Sequence, residues 1–170
     1  LYLKNPNLVN EIQAKVSLQD YQNPNGLYED ARIGGIFYND TGNSNSGYQG
    51  DVFASVALSI LPGQAPTARW VVTRLNDPNA TFWNWTVLQS GTFPQTINLG
   101  QEYTLYLKWD GTQFTFQCDD AVANYIPSTP IFPANRNHKR LDTRVISPAT
   151  APPYYDGYIS ATFNEVKVGL

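Results

Sequence analysis

The chain has 170 residues and a formal net charge of −3; 15% of its residues are charged and 14% aromatic. That length suits one domain and can bury a core without cross-links, while a single Cys and a single His exclude an internal disulfide and any multi-Cys or multi-His metal centre. The negative balance argues against nucleic-acid binding through a globally basic surface, and no apolar run of about 18–20 residues is present to span a membrane.

Period-two alternation dominates the chain. In residues 11–18, Ile12, Ala14, Val16 and Leu18 face one way and polar residues the other, the pattern of a half-buried antiparallel strand. Residues 32–38 form a second strand, whose Gly34-Gly35 pair signals a bulge or a close backbone approach. A loop of strong turn formers fills 39–50. Residues 51–61 follow, with Val52, Ala54, Val56, Leu58 and Ile60 on one face and Phe53, Ala57 and Leu61 on the other, so this strand is expected to be central and covered on both sides. Residues 68–75 and 81–88 read as a strand pair. Residues 102–109 and 112–118, joined at Asp110-Gly111, carry the strongest hairpin signal, and 121–126 make a short strand after Asp119-Asp120. Beyond a Pro-rich passage and a basic stretch at 135–144, strands are expected over 141–145 and 158–168. Roughly ten strands, no segment periodic at 3.6 and no internal repeat predict an all-β fold, a single antiparallel β-sandwich over 1–170.

The succession ARIGGIFYND (31–40), GDVFASV (50–56), LG-x-EYTLYLKWDGTQFTF (99–116), NRNHKRLDTRV (135–145) and DGYISATFNEVKV (156–168) resembles concanavalin A-like (lectin/glucanase, laminin G-like) jelly-roll modules of secreted bacterial proteins. The resemblance implies two curved sheets and a face on which relatives often bind glycans. Its motifs are mostly strand-and-turn grammar, so they specify the fold better than an activity.

Glycanases of this fold set carboxylates on alternate positions of one strand, in a Glu-x-Asp-x-x-Glu pattern. The four Glu, at 11, 29, 102 and 165, begin no such pattern, and the adjacent Glu29-Asp30 would point to opposite faces, as solvated strand ends or turns. The chain is therefore expected not to be an enzyme, with a divergent glycoside hydrolase or lyase as the catalytic alternative. Cys118 continues the Phe114–Phe116 face and reads as a buried, inert thiol. His138 reads as a loop or strand-edge residue whose cationic neighbours depress its pKa.

Candidate binding residues are aromatic and basic. Tyr48, Tyr154 and Tyr155 lie in loops, where flat rings can stack on sugar faces. Trp83 and Trp85 share one face of the 81–88 strand, and the sandwich core is the stronger expectation for both. Arg136 and Arg140 head a basic run that reads either as an anion site or as a solvated strand edge guarded against pairing. Asp40, Asn43, Asn45 and Asp51 flank the 39–50 loop and offer the oxygen ligands a calcium ion prefers, although turns use the same residues. No other cofactor is expected. The first ten residues lack a leader's charged and apolar regions and the chain begins without Met, so the expectation is a processed protein or a module of a longer exported chain, extracellular, cell-surface or periplasmic. Its expected partner is a glycan, in a carbohydrate-binding or adhesion role; the alternative is neighbouring subunits of a surface layer or filament.

Overall fold

Alternating apolar side chains give each strand one face for the core, and ten such strands pack as two sheets in the computed structural model, which describes residues 1–23, 27–42, 47–79, 84–146 and 157–170. In chain order they are β1 (Glu11–Gln22), β2 (Tyr28–Asn39), β3 (Asp51–Ile60), β4 (Thr67–Leu75), β5 (Trp85–Thr96), β6 (Tyr103–Trp109), β7 (Phe114–Cys118), β8 (Ala121–Tyr125), β9 (Lys139–Ile146) and β10 (Tyr158–Gly169). One sheet has the order β10-β1-β6-β7-β8 and the other β5-β4-β3-β2-β9, with antiparallel pairing throughout. The expected all-β sandwich is the fold observed.

The core lies between the sheets. Ile12, Ala14, Val16 and Leu18 of β1 and Val52, Ala54, Val56 and Leu58 of β3 belong to one core cluster and are all fully buried; across the layers β1 faces β2, and β3 faces β6 and β7. Stacked rings join the layers: Trp70 lies 4.8 Å from Phe116, and Tyr38 lies 4.9 Å from Trp109. Cys118 is a free buried thiol, pushed up to about 12 by burial, as an inert core residue should be.

Several local expectations are corrected. The Asp110-Gly111 hairpin has a four-residue loop, because Trp109 pairs with Phe114. The Asp110 carboxylate accepts from Thr112 N, Gln113 N and the Thr112 hydroxyl, which holds residues 112 and 113 out of the ladder. The strand expected at 81–88 begins at Trp85 and runs on to Thr96; it is an edge strand, which is why Pro94 is tolerated within it. The bulge of β2 falls at Phe37 and not at the glycines. Gly34 and Gly35 answer instead to close approach: a Cβ at 34 would lie 2.7 Å from Ser55 Cβ, and one at 35 would lie 2.3 Å from Lys139 Cδ.

Glu29 and Asp30 do point to opposite faces, but neither is solvated; they are 0% and 1% exposed. Asp30 is paired with Arg144. Neither carboxylate oxygen of Glu29 has a hydrogen-bond partner among the described residues, and burial pushes its carboxyl from 4.5 to about 7. A group with a raised folded pKa holds an extra proton in the folded state, so its contribution is fully present below about pH 4.5 and is lost as pH rises through about 7. Glu29→Gln is expected to keep wild-type stability near pH 4.5 and to exceed it at pH 8 by on the order of 2 kcal/mol, several degrees in Tm. Thermal melts at the two pH values check this, and equal differences at both would show that folding leaves the carboxyl's pKa unshifted.

Candidate functional site

The outer face of the β5-β4-β3-β2-β9 sheet carries a groove of about 800 Å³, within the size range of ligand clefts. Its floor follows from residue size. Ser55, Ala57 and Ser59 of β3 alternate with the core-facing valines and leucine, and register sets Ser55 beside Gly34 and Ala57 beside Arg32. Small residues on the two central strands leave the middle of the sheet low, while longer side chains on the flanking strands stand above it. That contrast is why β3 is buried along its whole length.

The wall at β9 is electrostatic. Cross-strand register places Asp142 opposite Arg32 and Arg144 opposite Asp30. Arg32 donates to both Asp142 oxygens, at 2.8 and 3.0 Å, and Arg140 Nε lies 3.3 Å from the same carboxylate. Arg144 grips Asp30 through Nε and Nη2. Burial alone would raise the Asp142 carboxyl, but the hydrogen bond and charge of Arg32, with Arg140 and Arg144 behind it, hold it below its ordinary value. Phe53 rises between two of these cations, its ring centroid 5.2 Å from the Arg32 guanidinium and 5.8 Å from that of Arg140.

One end of the groove is aromatic. The His138 ring lies 6.2 to 6.3 Å from the rings of Tyr2, Tyr48 and Phe53. Burial first, and the cations Arg140, Lys139 and Arg32 after it, push His138 down to about 4, so the imidazole is neutral at neutral pH. Across from it Trp85 and Val87 of β5 complete the lining.

The lead-in to β9 is tied by side chains. Asp51 accepts from the backbone N–H groups of Asn135 and Arg136, at 2.8 and 2.9 Å, and from the Asn39 amide at 3.0 Å. Lys139 is not part of a solvated basic run; it is 1% exposed and donates to Ile36 O, Pro6 O and Asn137 Oδ1. Burial pulls its pKa down to about 7, while three carbonyl acceptors and the Phe37 face at 4.1 Å favour the ammonium form.

Tyr48, Trp85, Arg136 and Arg140 are therefore brought together in one groove. The core expectation fails for Trp85, because β5 is an edge strand and this ring stands on its groove side. Trp83, Tyr154, Tyr155, Asn43 and Asn45 lie outside the described residues. Of the other two calcium candidates, Asp51 spends its oxygens on the contacts just given, and Asp40 lies 3.4 Å from Arg74; no group of three or more potential metal-binding side chains occurs among the described residues. Sequence reasoning missed Arg32, Arg69 and Phe53. The available signal was the alternation of Arg32, Arg69 and Phe53 with core residues on strands otherwise read for their apolar face.

The two sheets, their strand order and this groove define a concanavalin A-like jelly-roll sandwich. The fold is similar to that of a glycoside hydrolase family 16 endo-glucanase from Bacteroides ovatus (TM-score 0.57, 12% identity, covering 99% of this chain and 70% of that one). It is also similar to the kappa-carrageenase from Pseudoalteromonas carrageenovora in complex with an oligotetrasaccharide of kappa-carrageenan (TM-score 0.52, 9% identity, 95% and 64%). A more distant likeness is to the carbohydrate-binding module CBM66 from Bacillus subtilis (TM-score 0.43, 14% identity, 93% and 73%). No protein-family model and no curated sequence matches the chain.

Asp142→Asn would leave Arg32, 3% exposed, without its bidentate partner. The expected cost is about 3 kcal/mol in urea unfolding, and the double variant Arg32→Met, Asp142→Leu is expected to recover most of it. A single variant with an unchanged midpoint would show that the pair contributes nothing to the wall.

Proposed function

We propose that this chain is a non-catalytic, extracytoplasmic carbohydrate-binding module that holds a glycan in the outer-face groove. The observation that carries the reading is the combination of a small-residue floor with Tyr48, Phe53, Trp85 and hydrogen-bonding side chains around it. Flat rings pack against the C–H faces of sugars, while guanidinium, amide and hydroxyl groups bond the edges. The fold neighbours include an endo-glucanase and a carrageenase with a bound oligosaccharide, which supports a glycan as the occupant.

The non-catalytic part rests on the carboxylates. Hydrolysis needs one acid to protonate the leaving oxygen and another as nucleophile or base. Among the described residues no Asp or Glu lines the groove; Asp30 and Asp142 are held by arginines, and Glu29 faces the sheet's other side. The extracytoplasmic setting is supported by a composition rich in Asn and Thr and poor in Lys.

A glycan array followed by titration calorimetry tests the reading. Binding in the micromolar to millimolar range is expected, with no new reducing ends released. Trp85→Ala is expected to weaken it about tenfold at unchanged Tm, the value of one aromatic contact. An array with no hits would overturn the glycan assignment, and turnover abolished by Asp30→Asn or Asp142→Asn would overturn the non-catalytic one.

A further inference from the structure

Charge is distributed unevenly over this chain. Five of its six arginines, at 32, 69, 136, 140 and 144, line the groove, together with none of its lysines. Among the described residues only Asp30 and Asp142 form ion pairs with them, while Asp51 attracts Arg136 at longer range. The groove thus gathers five guanidinium groups around two ion-paired carboxylates in a protein whose formal net charge is −3.

Among the described residues three of these arginines are ion-paired and two are not. Arg32 and Arg140 share Asp142, and Arg144 takes Asp30. Arg69 stands on β4 across Ala57 from Arg32, forms no ion pair among the described residues, and leaves its buried Nε without a hydrogen-bond partner. The Arg136 side chain likewise forms no ion pair there, although its backbone N–H is fixed by Asp51. A buried donor without an acceptor costs free energy, and gathered like charges repel. An anionic ligand relieves both at once.

Resting on the glycan reading above, we infer that the groove selects acidic glycans, with carboxylate or sulfate groups of the sugar chain seated on Arg69 and Arg136. Guanidinium groups suit both anions, because their parallel N–H donors match paired oxygens. The rings of Tyr48 and Trp85 take the apolar sugar faces between the charges. An acidic peptide fits less well: the groove crosses the face of a sheet whose central strands are fully paired, so it offers no free ladder for a strand to join.

The test uses oligosaccharides of matched length titrated into the intact chain at 50 and 200 mM NaCl: a polyuronate, a sulfated galactan and a neutral β-glucan. At low salt at least one acidic oligosaccharide is expected to bind at least about tenfold more tightly than the neutral one, and to weaken severalfold at high salt through screening. Arg69→Gln and Arg136→Gln should each reduce acidic binding about tenfold and neutral binding by a clearly smaller factor. Arg69→Lys should retain part of the preference. Lys108→Gln, on β6 in the opposite sheet, should change nothing. Whichever acidic sugar binds more tightly identifies the anion. Equal or tighter binding of the neutral glucan would overturn the charge selection and leave the glycan reading standing; no binding of any sugar would overturn both. Tighter binding of poly-Glu or of a single-stranded oligonucleotide than of every sugar would overturn the acidic-glycan assignment in favour of that partner.

Discussion

The ladder of opposite charges between β2 and β9 is the constraint on which the groove depends. β9 is an edge strand: among the described residues its outer side is met by no other strand of its sheet, only by a short backbone contact of residues 1–3 with residues 139–141. The Arg32–Asp142 and Asp30–Arg144 pairs fix its register against β2 at two successive same-face positions. A one-residue slip would place arginine against the hydrophobic layer and Leu141 in solvent. Desolvated pairs of this kind gain little net stability over apolar packing, but they penalise every alternative register.

With β9 fixed, the segment before it can be aimed. Asp51 holds the backbone of residues 135 and 136 from below, and Lys139 draws Asn137, Ile36 and Pro6 together. Between these two tethers His138 and Arg136 have little choice but to face the groove. Gly35 is part of the same arrangement, since any side chain there would occupy the space of the Lys139 stem. Loop residues are thus positioned by buried polar contacts that make no approach to a ligand themselves.

The core was legible in the sequence because its signal is periodic. The core-facing positions of β3, β6 and β7 are apolar throughout and those of β1 as far as Leu18, and each strand lies within a few residues of its expected bounds. The groove was legible only in part. Tyr48, Arg136 and Arg140 were singled out as exposed or basic residues, properties visible without knowing their neighbours. Trp85 was expected inside because large rings usually are, and only the order of strands reveals that β5 is an edge. Lys139 and Glu29 carry charges that composition alone places in solvent; their burial follows from Gly35 on one side and from the packing around Leu27 and Gly157 on the other. Cross-strand register, which decides that Arg32 meets Asp142 across 110 residues of sequence, leaves no mark in any local window.

A sandwich can place a charged site on its outer face because the inner face alone supplies the core. On β2 and β3 the two faces have opposite requirements: bulky aliphatic residues inside, and Ser, Ala or Gly outside where the floor must stay low. Conflict between them is absent because a strand's side chains alternate strictly, so each face can be composed independently. The cost falls on the arginines of β2, β9 and β4, which are held wholly or partly out of water. That cost is met on β9 by Asp30 and Asp142, and on β4 it is not, since Arg69 has no carboxylate opposite it. The imbalance lies on the lining of the groove, where an anionic ligand would supply the missing oxygens.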